Sequence, residues 1–178
     1  MNNIHHSEFI ESLAAIYKPD YYLELGLYQG ETIQKVAKHT KTLAVGVDTN
    51  LVSIVEPKIK IHQCTTDLFF ADPIFNKFNM IFIDADHRFE SVKRDLENSL
   101  HYLSEGGIII LHDTDPESDY LFKPGYCGDS YKIVPFIEQQ MHLNIVTLPI
   151  AEAGLSIVTR KNSTRTQRRN GKGLVATR

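Results

Sequence analysis

Two apolar stretches of this chain end in side chains of the kinds that ligate cations and move protons. Met80–Ile83 runs into Asp84-Ala85-Asp86-His87, and Ile108–Leu111 runs into His112-Asp113-Thr114-Asp115. Each apolar run has the length of a buried strand, and parallel strands deliver their last residues to the carboxyl edge of a sheet, where ligands of open α/β folds bind. Acidic and imidazole groups therefore converge from two neighbouring strand ends. Each residue also has a plainer reading: Asp84 as a loop-bonding group, Asp86 as the N-cap of the next helix, His87 as an exposed first-turn residue, and His112 as a hydrogen-bond partner.

The elements that must position these groups follow from periodicity. Tyr21–Leu25 reads as a first strand, entering the turn Gly26-Leu27-Tyr28-Gln29-Gly30 and a helix over Ile33–His39. Strand, glycine turn and helix make the opening unit of a nucleotide-binding sheet, but the spacing G-x-x-x-G departs from the pattern that takes a pyrophosphate. Glu24, just before the turn, would repel phosphate and suits a ligand with an amine or sulfonium. Leu43–Val47 is a second strand ending in Asp48, 22 residues beyond Gly26, a spacing that suits bonds to ribose hydroxyls. Turn and aspartate together favour an adenosine-containing cofactor without phosphate. Lys58–His62 reads as a third strand, and Asp67 either caps a short helix or faces an adenine amino group.

Upstream, Ile4–Tyr17 has helical spacing with Ser7 as a candidate N-cap, stopped by Lys18-Pro19. Downstream of His87, Phe89, Val92, Leu96, Leu100 and Leu103 form one apolar stripe. Asp115–Gly128 reads as a binding loop with three aromatics. A helix is expected from Asp129 or Ser130 to Gln140, and Leu143–Leu148 with Leu155–Thr159 as an antiparallel edge hairpin.

With 178 residues and 42% hydrophobic content, one domain over residues 1–160 is expected. No apolar run approaches the roughly 20 residues of a membrane helix, the N-terminus does not read as a secretory signal, and two cysteines are too few for a disulfide scaffold. A cytoplasmic setting follows. The stretch 161–178 carries six basic residues and no acid and reads as a disordered tail, leaving thirteen basic against 22 acidic residues before it. That acidic body disfavours nucleic acid as a partner, and no D-P-P-Y-like loop follows the fourth strand.

The segments E-L-G-L-Y-Q-G-E-T, V-G-V-D, F-I-D-A-D-H-R-F-E-S-V-K-R-D-L and G-G-I-I-I-L-H-D-T, taken in order, resemble class I S-adenosylmethionine-dependent methyltransferases. More narrowly they are similar to small-molecule O-methyltransferases that act on sugars and natural products. The resemblance implies a three-layer α/β, Rossmann-like sandwich around a mostly parallel seven-stranded sheet of order 3-2-1-4-5-7-6, the last strand antiparallel. It places Glu24, Gly26, Tyr28 and Gly30 around the methionine half of S-adenosylmethionine, Asp48 at the ribose, Asp67 at the adenine, and Asp84 beside the cofactor. It also implies a divalent metal, Mg²⁺ or Mn²⁺, on Asp84, His112 and Asp113, with imidazole better suited to Mn²⁺, Fe²⁺ or Zn²⁺. Asp86 resembles the general base of the sugar-modifying relatives, while His87, with a pKa near neutrality, is its rival. The expected activity is metal-assisted O-methylation of a hydroxylated small molecule, with a homo-oligomer closing the acceptor side. A catalytically silent cofactor-binding module is the competing reading; a metal-dependent hydrolase would leave Glu24 and Asp48 without a role.

Overall fold

The computed structural model describes residues 4–72 and 77–161. The basic stretch beyond Lys161 lies outside the described residues. Alternation of side chains across each strand gives the sheet two apolar faces. Strands β1 (Tyr21–Leu25), β2 (Leu43–Asp48), β3 (Ile59–Gln63), β4 (Phe78–Ile83), β5 (Leu103–His112), β6 (Leu143–Leu148) and β7 (Leu155–Arg160) form one sheet of order β3-β2-β1-β4-β5-β7-β6. β1 to β5 are parallel to one another, and β7 runs antiparallel to both β5 and β6. This is the expected order, with helices on both faces.

On one face Leu23, Leu25, Val45, Ile81, Ile83 and Leu111 pack with α4 (Phe89–Tyr102), α5 (Ile133–Glu138) and Phe69 of α3 (Thr66–Ala71). On the other, Tyr22, Ala44, Met80, Phe82 and Ile110 pack with α1 (His6–Tyr17) and α2 (Glu31–Ala37). No described helix is long and apolar enough to cross a membrane.

Three local expectations are corrected. α1 is capped by His5, whose ring accepts from the Ser7 N–H; Ser7 itself is buried, its hydroxyl donating to Glu31 (3.2 Å) and accepting from Lys35 (2.9 Å), which ties α1 to α2. Leu103 leaves the α4 stripe: it is extended and opens β5, five residues earlier than Ile108. The strand reaches so far back because its register against β4 shifts after Phe78↔Leu103, with Gly106 at φ +72 absorbing the irregularity. The helix expected from residue 129 onward splits into a 3-10 turn at Ser130–Lys132 and the short α5.

Candidate functional site

Register puts the strand ends side by side: Leu25 is paired with Val47 and Ile83, and Ile83 with Leu111. Gly26, Asp48, Asp84 and His112 therefore share one edge. The glycine turn is pressed against the end of β4, since a Cβ on Gly26 (φ +86) would lie 2.1 Å from the Asp84 carbonyl oxygen. No side chain larger than hydrogen fits there.

The acidic centre is built from both strand ends. His112 Nδ1 stands 3.0 Å from Asp84 Oδ1 and 3.1 Å from Asp113 Oδ1. Burial opposes charge on His112, but Asp84 and then Asp113 overcome it and push its pKa up to about 9. Burial likewise works against the Asp84 carboxylate, yet the His112 charge and hydrogen bond hold its pKa below the usual value. Asp113 adopts φ +59, a conformation rare and strained for a non-glycine residue. Its side chain is 6% exposed, and its Oδ2 receives no hydrogen bond although His87 Nδ1 is 3.1 Å away. Among the described residues, Asp84, His87 and Asp113 offer one ligand atom each within 4.8 Å of one another. An imidazole and two carboxylates, one of them with an orphaned buried oxygen, fit a divalent ion.

His87 enters this group through packing that the chain order does not reveal. Gly128 (φ +55) lies against its carbonyl, where a Cβ would come within 2.6 Å, and Asp129 N–H donates to the same carbonyl at 3.1 Å. The His87 Nδ1 is hydrogen-bonded to the Tyr126 carbonyl. Asp129 Oδ1 accepts from Phe89 N–H at 2.7 Å and so supplies the cap that Arg88, at the N-cap position of α4, does not. The Ser130 hydroxyl donates to the Asp113 carbonyl at 2.8 Å. Residues 126–130 thus join the ends of β4 and β5.

Asp86 is placed differently. Its carboxylate accepts from Arg88 and from the Ser91 hydroxyl (2.9 Å), with the Arg88 hydrogen bonds the main cause of a lowered pKa. It is turned into the first turn of α4 and lies outside the cluster of Asp84, His87 and Asp113. Of the expected metal set, His112 is engaged by both carboxylates, and the group whose ligand atoms lie within 4.8 Å of one another has His87 in its place.

On the cofactor side, Asp48 Oδ2 accepts from Leu27 N–H (2.7 Å) and Tyr28 N–H (3.2 Å), and Oδ1 from Asn50 N–H (2.8 Å). The carboxylate is locked at the mouth of the turn, which suits it to further hydroxyl donors. Gly30 (φ +74) closes the turn under Ile54, and Tyr28, in the left-handed region, is 85% exposed. Glu24 departs from the expectation that it faces a cationic ligand. It is 1% exposed on the α1/α2 side, bonded to the Tyr22 hydroxyl at 2.7 Å and to Ile33 N–H, and burial first of all raises its pKa well above the usual carboxylate range. It supports the turn from beneath through these two hydrogen bonds. Asp67 does not cap α3, a role taken by Thr65; it pairs with Arg94 at 2.7 Å on the surface.

A cavity of about 380 Å³ opens over the acidic centre, walled by His5 and His6 from α1, by Tyr120, Tyr126 and Cys127 from the loop after β5, and by residues 151–153. This loop is held to the β6–β7 turn by Asp115 N–H on the Ala153 carbonyl and by the Tyr120 hydroxyl on Glu152. A binding loop is expected here from the sequence, but His6, whose ring packs 4.4 Å from that of His112, is not. Burial, then the neighbouring His112 charge, drives the His6 pKa down to about 4. Its only sequence signal was the His5-His6 pair at the start of α1.

Comparison with known proteins agrees with this fold. An uncharacterized protein of Acanthamoeba polyphaga mimivirus is 25% identical over 154 residues, covering 75% of this chain and 68% of that protein. Among solved structures, an O-methyltransferase from Bacillus cereus in complex with SAH superposes with a TM-score of 0.67 at 15% identity, over 90% of this chain and 84% of that one. A SAH-bound methyltransferase of Podospora anserina gives 0.68 at 18% identity, over 88% and 78%. TomG from Streptomyces achromogenes, an O-methyltransferase involved in tomaymycin synthesis and solved with SAM, gives 0.64 at 12%, over 88% and 79%. At these identities the structures establish a shared fold. Residues 23–114, just over half the chain and both strand ends of the site, match the model of the methyltransferase domain, and the chain belongs to that family.

Proposed function

We propose that this chain is an S-adenosylmethionine-dependent O-methyltransferase that acts, with a divalent metal, on a compact hydroxylated small molecule. The observation that carries the reading is the meeting, on one sheet edge, of the Gly26–Asp48 cradle with the Asp84–Asp113 pair beneath the 380 Å³ cavity. A cavity of that size sits at the small end of ligand pockets, which run from about 300 to 1,000 Å³. The SAH and SAM held by the structural neighbours support the cofactor.

In this reading Asp48 accepts from the cofactor's ribose hydroxyls, and the main chain of the Gly26 turn lies along its methionine half. The sulfonium supplies an electrophilic methyl group. Asp84 and Asp113 are the carboxylates for an ion, which would lower the acceptor hydroxyl's pKa by several units and fix its oxygen. The acceptor oxygen forms the bond to the methyl carbon as the carbon–sulfur bond breaks, leaving an ether and a thioether, and the hydroxyl proton departs to a base. Asp86, one candidate for that base, is occupied by Arg88 and Ser91. Two of the imidazoles on the cavity wall, His6 and His87, are better placed to receive it.

Calorimetric titration of the full chain with S-adenosylhomocysteine tests the reading. Binding should be measurable and should weaken by about 10-fold or more in Asp48→Ala, as hydrogen bonds of roughly 1–2 kcal/mol are lost. No binding by a protein that keeps its native circular dichroism would overturn it.

A further inference from the structure

We infer that the ion of this site is bound by His87 Nε2 together with Asp84 and Asp113, that His112 is a positioning residue and not a ligand, and that the nitrogen donor turns the site from Mg²⁺ toward Mn²⁺, Co²⁺ or Zn²⁺. The inference rests on the metal-assisted reading above.

The tautomer of His87 is set by its surroundings. Its Nδ1 stands between two acceptors, the Tyr126 carbonyl, to which it is hydrogen-bonded, and Asp113 Oδ2 at 3.1 Å, so the ring proton belongs on Nδ1 and the lone pair on Nε2. A ligand histidine that donates its other N–H to a backbone carbonyl is the usual outer-shell arrangement of metal sites. Nε2 lies 3.8 Å from Asp84 Oδ1. Two donors each about 2.1 Å from a shared ion are about 3.0 Å apart at a right angle and about 4.2 Å apart when opposite. The observed separation falls between these limits.

Asp113 supplies the independent sign that something is meant to bind. Its side chain is 94% buried, and Oδ2 stands without a hydrogen bond on the side of His87. A carboxylate oxygen left bare in the interior costs about 1–3 kcal/mol unless a cation or donor occupies it. His112, in contrast, uses Nδ1 on one oxygen of each aspartate, at 3.0 and 3.1 Å. Asp84 is thereby fixed relative to Asp113, with Asp113 Oδ2 left for the ion. The second nitrogen of His112 is buried without a hydrogen-bond partner, and its ring packs against His6.

Imidazole in the donor set decides the metal. Mg²⁺ favours an all-oxygen octahedron and gains little from nitrogen, whereas Mn²⁺, Co²⁺ and Zn²⁺ accept it readily. With His87 bound to the ion, the imidazoles on the cavity wall without a ligand role are His5, which caps α1, His112, which holds the two aspartates, and His6.

Pulsed electron paramagnetic resonance of the full-length protein loaded with Mn²⁺ reads the donor set directly. Nitrogen modulation from one imidazole is expected, kept in His112→Gln and absent in His87→Gln, which should bind Mn²⁺ at least about 10-fold more weakly while still binding S-adenosylhomocysteine. In competition, wild type should prefer Mn²⁺ over Mg²⁺ by about 10-fold or more. Absence of Mn²⁺ binding, equal affinity for the two ions, or a nitrogen signal that survives in His87→Gln would each overturn the inference. Its failure is separable from failure of the functional reading: a protein that binds S-adenosylhomocysteine but no Mn²⁺ refutes only the metal assignment, and one that shows the His87 signal but binds no S-adenosylhomocysteine refutes only the methyltransferase activity.

Discussion

Replacing Asp95 by asparagine should make the protein more stable at neutral pH and leave its stability at acid pH nearly unchanged. Asp95 sits on the inner side of α4, 2% exposed, and its Oδ1 has no hydrogen-bond partner. Burial, only partly offset by the Thr66 hydrogen bond and the Arg94 charge, raises its pKa from 3.8 to about 6. Since the folded pKa lies above the unfolded one, the native state holds this proton more tightly. The contribution to stability is fully present below about pH 4 and is lost as pH rises through about 6. A shift of about two units corresponds to about 3 kcal/mol, an upper figure for the cost of ionising the buried carboxyl. Asparagine keeps an acceptor for Thr66 and cannot ionise. Urea unfolding of both proteins at pH 4 and pH 7.5 gives the difference free of other titrating groups. The variant should gain about 2–3 kcal/mol at pH 7.5 and close to nothing at pH 4. A difference that does not change with pH, or an asparagine variant that is the less stable at pH 7.5, would refute the argument.

Two further substitutions probe the site's construction. Asp86→Asn should reduce kcat by less than about 10-fold, because the carboxylate is engaged by Arg88 and Ser91; a loss of the 10²–10⁴-fold size typical of a general base would restore Asp86 to that role. Gly128→Ala should destabilise the protein by about 1–3 kcal/mol in urea unfolding and weaken Mn²⁺ binding as His87 shifts, since φ is +55 and the new Cβ would meet the His87 carbonyl at 2.6 Å; an unchanged midpoint and unchanged affinity would show that the loop yields freely.

The framework was legible because its signals are local. β1, β2 and β4 are short apolar runs ended by glycine or aspartate, and Gly26, Asp48 and Asp84 stand where those patterns put them. Roles that depend on partners far along the chain were not legible. Glu24 looks like a ligand-facing acid from its place before the turn, yet the period-two alternation of β1 sends it to the same side as Tyr22, where it meets a hydroxyl. His87 and His112 were both visible as chemistry, but the placing of His87 beside the two carboxylates depends on Tyr126, Gly128 and Asp129, some forty residues after it. His6 was hidden for the same reason: only the docking of α1 brings its ring to His112.

The cap that Asp129 places on α4 also determines how the cavity wall can move. Withdrawing Asp129 would bare the Phe89 N–H at the start of the helix, a loss of about 1 kcal/mol in addition to the contacts at His87 and Asp113. Residues 128–130 are therefore anchored with the site. Gly125, at φ +88 with open space where a side chain would be, lies just ahead of that anchor. The start of α4, the end of β5 and the cavity wall at Tyr126 therefore form one mechanical unit, so that a change at any of the three is felt at the other two.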